Sequence, residues 1–129
     1  MANATAEIGD GIQIGKTKIR NNLFCAPLAG YTDFAFRRLC YSFGAGLCFT
    51  EMVSAKGLCY NSKNTEELLY VTPNYNGIKA VQLFGGDPEY MRRAAESEFI
   101  APFELIAINL GCPSPKIFKN GNASAHMAD

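Results

Sequence analysis

Net charge is what this chain lacks most plainly: twelve Lys and Arg balance twelve Asp and Glu, and the formal charge at pH 7 is zero. Bulk electrostatics therefore give no argument for nucleic-acid binding, although a local basic patch would not register in the total. Histidine is nearly missing as well. The single His126 is too isolated to argue a metal site and reads as a loop or surface residue near the end. No secretory h-region opens the chain, since residues 1–22 are polar with scattered isoleucines. No apolar stretch is long enough to cross a membrane. The five cysteines, Cys25, Cys40, Cys48, Cys59 and Cys112, are odd in number and show no paired CxxC spacing. These absences together describe a reduced, cytoplasmic protein without a membrane span.

What is present suffices for one modest domain: 129 residues, 48% of them apolar. Ile8 to Gly15 reads as a short hairpin turning at Asp10-Gly11. A regular alternation follows. Leu23 to Ala26 is a short apolar strand ending at Pro27. Thr32-Asp33 can cap a helix whose apolar residues Phe36, Leu39, Cys40 and Phe43 recur at helical spacing, with Gly44 as its stop. Leu47 to Thr50 is a second strand, and Thr65 to Tyr70 a helical turn ended before Pro73. Ala80 to Phe84 is a third strand, stopped by Gly85-Gly86. Asp87-Pro88-Glu89 starts a helix with a capping Asp, a Pro at the first position and an acid at the positive dipole end. Met91, Ala94, Ala95 and Glu98 give that helix a narrow, weakly apolar face. Leu105 to Ile108 is the fourth strand.

Strand and helix in alternation predict parallel βα units, and continuously apolar strands predict burial on both faces. The four strand-end segments, Pro27–Thr32, Glu51–Gly57, Gln82–Gly86 and Asn109–Lys116, then share one rim. In α/β proteins that rim binds ligands. The last segment is the most informative. Gly111 allows unusual backbone geometry and Pro113 fixes its own φ, so Cys112 is held on a rigid turn and aimed outward. Read alone, Asn109 is equally a turn residue, Gln82 a partner for strand-end backbone, and Cys112 a small apolar filler. Glu51 and Arg37 read as a structural ion pair. Cys25, Cys40, Cys48 and Cys59 read as core or near-core residues, and Lys56, Lys116 and Lys119 as solvated lysines.

The ordered set of motifs resembles the N-terminal half of the bacterial tRNA-dihydrouridine synthases. It comprises Ala26-Pro27-Leu28-Ala29-Gly30-Tyr31-Thr32-Asp33, Phe36-Arg37, Gly44 to Leu47 and Thr50-Glu51-Met52-Val53-Ser54-Ala55-Lys56. It continues with Val81 to Gly85, Asn109-Leu110-Gly111-Cys112-Pro113, Lys116-Ile117 and Lys119-Asn120-Gly121. The resemblance implies an α/β fold, the N-terminal half of a (β/α)8 TIM barrel. Residues 1–21 would form a capping hairpin and residues 22–129 the first four βα units. It implies reduction of specific tRNA uridines to 5,6-dihydrouridine, with FMN as cofactor, NADPH as electron donor and no metal. Cys112 matches the acid that protonates uracil C5. Asn109 matches the residue that holds the uracil ring, and Gln82 a flavin contact. Pro27, Leu28 and Ala29 match the wall against the flavin ring. A neutral thiol on a rigid turn suits general acid catalysis, and an amide offers a donor and an acceptor to an imide edge.

The pattern also departs from the family. A full barrel needs about 250 residues, and the family's later strands carry a Lys, a His, the phosphate-binding loops and a tRNA-gripping helical domain. Ala123 stands where the family has Gly, and His126 where it has Leu. These departures lead us to expect a truncated chain, inactive alone, with degraded or foreign sequence at its end. Its open sheet edges would favour self-association or a complementing half barrel. A dihydroorotate-dehydrogenase-like flavoenzyme and a non-catalytic half-barrel interaction module remain the alternatives.

Overall fold

A computed structural model describes Gly9 and residues 11–127, without the side chains of His126 and Met127. Two strands, β1 (Ile12–Ile14) and β2 (Thr17–Ile19), form an antiparallel hairpin. Four more, β3 (Phe24–Cys25), β4 (Leu47–Ser54), β5 (Ala80–Phe84) and β6 (Leu105–Ile108), form one sheet in chain order, parallel throughout. The intervening helices are α1 (Phe34–Ser42), α2 (Ala55–Cys59), α3 (Lys63–Glu67) and α4 (Pro88–Ala95). A short α5 (Pro115–Phe118) and a 3-10 turn (Ala123–Met127) follow β6. Sequential strands paired in parallel through helices are the first half of a (β/α)8 barrel.

The two faces of the sheet carry separate cores. Val81 and Leu83 of β5 pack with Val53, Leu58, Leu69, Ala94 and Ile100 on the helix side. Their neighbour Ala80 packs with Leu47 and Ile19 on the other, toward what is the barrel interior. Strand alternation separates the two sets. Register carries Cys48 to the helix side, opposite Phe49, which pairs with Ala80. The α1 helix therefore lies on the same side as α2 and α4.

The hairpin turns later than the sequence predicts. Gly15 and Lys16 form the turn, with Gly15 at φ +57°, the left-handed conformation that a two-residue hairpin requires of its first central residue. Of the expected turn, Asp10 lies outside the described residues. The observed pairing turns Ile19 inward, where it is buried. The Arg20 guanidinium then donates to the carbonyls of Tyr41 and Ala45, at 2.9 and 2.8 Å, tying the hairpin to the end of α1.

Three further differences have local causes. First, β4 runs on to Ser54 instead of stopping at Thr50, because a bulge between Phe49 and Met52 keeps it paired with β5. Second, α2 is too short for a helical period to show. Ser54 caps it by accepting from the Gly57 N–H, and Ala55 and Leu58 are buried. Third, α1 is rolled about its axis. It buries Arg37, while Phe36, Leu39 and Phe43 of the expected apolar face are exposed, Phe43 to 81%. Edge strand β6 behaves alike: Ile106 and Ile108 share a face with fully buried Val81 and Leu83, yet are 44 and 59% exposed. Full burial of such a side chain is worth about 1.5–3 kcal/mol, and each forgoes the part of it that its exposure represents. Part of the uncovered apolar surface thus lies on β6 and α1, toward the edges where each outer strand has a single neighbour.

Candidate active site at the carboxyl rim of the sheet

The four strand-end segments do meet on one rim. The first is held from below by a buried threonine. Thr32 Oγ1 accepts from the Leu28 N–H at 3.0 Å and donates to the Leu28 carbonyl at 3.1 Å, and the same carbonyl accepts from the N–H groups of Tyr31 and Thr32. Glu51 accepts from the Gly30 N–H. Arg37, buried beneath, donates to the Thr32 carbonyl at 2.7 Å and the Tyr70 carbonyl at 3.1 Å. The expected Glu51–Arg37 ion pair is therefore not formed. Both side chains instead fasten the 28–32 loop by its backbone, because that loop has no strand partner to take its N–H and C=O groups. Burial lowers the Arg37 pKa, and the Tyr75, Asp33, Cys48 and Glu51 groups oppose that shift. The outcome is a fixed wall in which Pro27 is half-buried and Leu28 and Ala29 are exposed, Leu28 to 54%.

Gln82 comes from β5, on the inner face beside Met52 and Ala107. The β4 bulge removes the backbone carbonyl that its N–H would meet. Buried Thr50 fills the gap, accepting from Gln82 N–H at 3.1 Å and donating to the Glu51 carbonyl at 2.7 Å. Gln82 Oε1 accepts from Asn109 Nδ2 at 3.0 Å. The Nε2 group of Gln82 has no partner among the described residues.

Asn109 joins that amide to the cysteine turn. Its Oδ1 accepts from the N–H groups of Gly111 and Cys112, at 3.1 and 3.0 Å. Its own N–H donates to the Leu83 carbonyl at 2.8 Å, extending the β5–β6 ladder by one residue. The turn is thus an Asx turn in which one side chain fixes two backbone donors. Cys112 is half-buried, and its carbonyl accepts from Ser124 Oγ at 2.8 Å.

The segment after α5 closes over the end of β5. An added Cβ at Gly86 would stand 2.2 Å from the Gly121 carbonyl oxygen, so only glycine permits this approach. Ala123, at the position where the resemblance leads us to expect Gly, is buried with φ +50°. That conformation costs an L-residue about 1–2 kcal/mol, more than the roughly 0.8 kcal/mol that one buried methyl returns. Ala123→Gly is therefore expected to raise the Tm by up to a few degrees. A lower Tm in thermal denaturation would show that the methyl contacts outweigh the backbone strain.

The structure thus brings Gln82, Asn109 and Cys112 into one hydrogen-bonded row, with the Pro27–Ala29 wall on the same rim. Thr32 acts as a brace, a role the sequence does not signal, since Thr32-Asp33 together read as a cap for α1. Asp33 alone caps, accepting from the Phe36 N–H at 2.8 Å. Thr50 and Ser124 also escaped notice, since neither role has a local sequence signal. Lys56, Lys116 and Lys119 are exposed, and Lys56 Nζ lies 5.6 Å from the Tyr90 ring centre.

The chain is similar to known proteins over most of its length. The model of the dihydrouridine synthase family matches residues 24–129, so the departures at Ala123 and His126 lie within the match. The tRNA-dihydrouridine synthase B of Vibrio parahaemolyticus is 38% identical over 114 residues, covering 88% of this chain and 35% of that protein. The protein of the same name from Escherichia coli K12 is 40% identical over 114 residues, with the same coverage. That from Pseudomonas putida is 38% identical over 118 residues, covering 92% of this chain and 35% of its own length. The chain therefore spans about a third of the length of these curated relatives, rather than half. By the family match over four fifths of its length, this chain belongs to the dihydrouridine synthase family.

Proposed function

We propose that this chain is the part of a flavin-dependent tRNA-uridine reductase that carries the acid and the ring-facing contacts. It would yield 5,6-dihydrouridine in tRNA at the expense of NADPH once the remainder of the barrel is supplied, and be inactive alone. Of the cap expected over residues 1–21, the β1–β2 hairpin is the part that the structure describes, and residues 22–127 would provide the first four βα units. The observation that carries the reading is the Gln82–Asn109–Cys112 row, because it couples an amide edge to the backbone of the cysteine turn.

The residues suit an isoalloxazine ring. Gln82 offers an amide N–H group without a partner among the described residues, and the apolar Pro27–Ala29 wall, exposed at Leu28 and Ala29, is held from beneath. When bound, FMN supplies the hydride that reaches C6 of the uracil. The chain's own residues do the rest. Cys112 Sγ delivers its proton to C5 and is left as a thiolate, which water reprotonates. Asn109 holds the turn, so the thiol sits at one position relative to the ring. The remaining hydrogen on Asn109 Nδ2 is available to a uracil carbonyl.

A chimera tests this: the present chain joined to the remaining two thirds of the Escherichia coli relative, assayed with NADPH and unmodified tRNA transcript. Dihydrouridine in the RNA is the expected product. A folded, flavin-loaded chimera that oxidises NADPH but leaves uridine intact would overturn the assignment of this rim.

A further inference from the structure

Away from the rim, three cysteines meet on the helix side of the sheet. Cys25 of β3 and Cys48 of β4 are register partners on adjacent parallel strands, so their side chains project together. Cys40 of α1 lies over them. Cys40 Sγ is 3.8 Å from Cys25 Sγ, and the three sulfur atoms all lie within 4.8 Å of one another. All three are free thiols, Cys48 buried and the other two half-buried. Nothing in the proposed chemistry uses them.

The spacing fits a metal. A cation about 2.3 Å from each sulfur holds its thiolate ligands ~3.8–4.0 Å apart, whether the angles are tetrahedral or trigonal. The trio is close to that geometry already. Cys25 and Cys40 already stand at that spacing, the Cys48 sulfur needs to close by about an ångström at most, and the half-burial of Cys25 and Cys40 leaves a path to the site. Donors that are all sulfur select soft d10 ions and disfavour Mg2+, Ca2+ and Mn2+.

A second feature points the same way. Arg37 is buried, yet its hydrogen bonds go only to neutral carbonyls, and among the described residues the ion pairs are those of Arg92 with Glu89 and Glu96. A buried cation with no contacting anion is costly. Its field reaches Cys48, where it favours the thiolate. Burial acts the other way and is stronger: it pushes the Cys48 thiol up to about 12 and raises Cys25 as well. Asp33 and Glu51 act on Arg37 only through space, and its direct partners are the two carbonyls.

We infer that Cys25, Cys40 and Cys48 form a binding site for a single thiophilic d10 cation of the Zn2+ class. Binding exchanges three S–H protons for one divalent ion and leaves a net charge of −1 on the tris-thiolate, with water as a fourth ligand. That charge faces Arg37. No electron is transferred. The site fastens β3, β4 and α1 to one another at the edge of the sheet, where β3 has only two residues of regular strand.

The test is Zn2+ titration of the reduced chain against a chromophoric chelator, with thiols counted by a thiol-reactive chromogen before and after. One Zn2+ per chain is expected, with three of five thiols protected. Outer-shell partners of a metal are typically worth about 10–100-fold in affinity, and loss of a ligand weakens binding by no less. Cys25→Ser and Cys40→Ser should each do so, and Cys59→Ser should not. Half-burial lets Cys25 and Cys40 accept a hydroxyl, and circular dichroism checks that each variant folds. If either variant unfolds, the protected-thiol count of the parent chain decides. No saturable uptake would overturn the site, as would protection of fewer than three thiols or Zn2+ affinity unchanged by Cys25→Ser and Cys40→Ser.

Discussion

Cys112→Ala in the completed enzyme is expected to abolish dihydrouridine formation while leaving reduction of the flavin by NADPH largely intact. The two half-reactions make different demands. Reduction of the flavin needs no thiol. Reduction of the uracil C5–C6 bond needs a proton at C5 as well as a hydride at C6, and general acid help of this kind is worth about 10²–10⁴-fold. The structure adds a reason why the thiol cannot be replaced by a neighbour. Cys112 is the one titratable side chain between Asn109 and Pro115, on a turn held by the Gly111 and Cys112 N–H groups with Asn109 and by the Cys112 carbonyl with Ser124. The alanine variant keeps those bonds, so its fold and flavin affinity should match the parent. Cys25→Ala is the control, and should alter stability but not turnover. Flavin bleaching under NADPH and the dihydrouridine content of the tRNA report the two steps separately. Parent-rate reduction of tRNA by the Cys112 variant would make Cys112 a turn residue and move the acid elsewhere.

How far the sequence discloses such a site depends on the range over which each interaction acts. The four parallel strands were legible because each is a short apolar run bounded by Pro or Gly, and the start of α4 because Asp87-Pro88-Glu89 is a purely local signal. The true turn at Gly15-Lys16 was not. Asp10-Gly11 is the stronger dipeptide signal, and the choice between them is made at a distance, by Ile19 entering the interior with Leu47 and Ala80. The roll of α1 was hidden for the same reason. Periodicity places Phe36, Leu39 and Phe43 inward, but Arg37 is drawn inward by the Thr32 and Tyr70 carbonyls, and Phe34 by ring contacts with Tyr70 and Tyr75. At the site, the residues that face the rim were found from their motifs. Those that brace them from behind, Thr32, Thr50 and Ser124, act through contacts that no spacing encodes. The three cysteines were each read correctly as near-core, but their meeting follows from strand register and helix placement together.

Asn109 separates two ways in which one residue can serve this rim, and its variants are expected to tell them apart. In the resemblance to the family it holds the uracil ring. In the structure most of its polar capacity is already committed, since Oδ1 accepts two backbone N–H groups and one Nδ2 hydrogen goes to Gln82. Only the second Nδ2 hydrogen is left for substrate. Asn109→Ala removes everything at once. It frees the Gly111 and Cys112 N–H groups, loosens the turn and leaves Gln82 Oε1 without its donor. A thiol displaced by 1 Å can cost on the order of 10²-fold in rate, so a fall of that size in kcat is expected, with flavin reduction unaffected. Asn109→Asp is the discriminating change. A carboxylate accepts the same two N–H groups at least as strongly, so the Cys112 turn survives. It has no hydrogen to give Gln82 or uracil, and two acceptors then face each other across β5 and β6. If Asn109 acts mainly through the turn, the Asp variant recovers most of the kcat that Ala loses. If it acts mainly by reading uracil, the Asp variant is as impaired as Ala, with the loss appearing in KM for tRNA. Given two bonds into the turn against one hydrogen left over, the expected result is recovery of kcat by Asp with a raised KM. Equal loss of kcat in both variants would return Asn109 to the role of substrate reader alone.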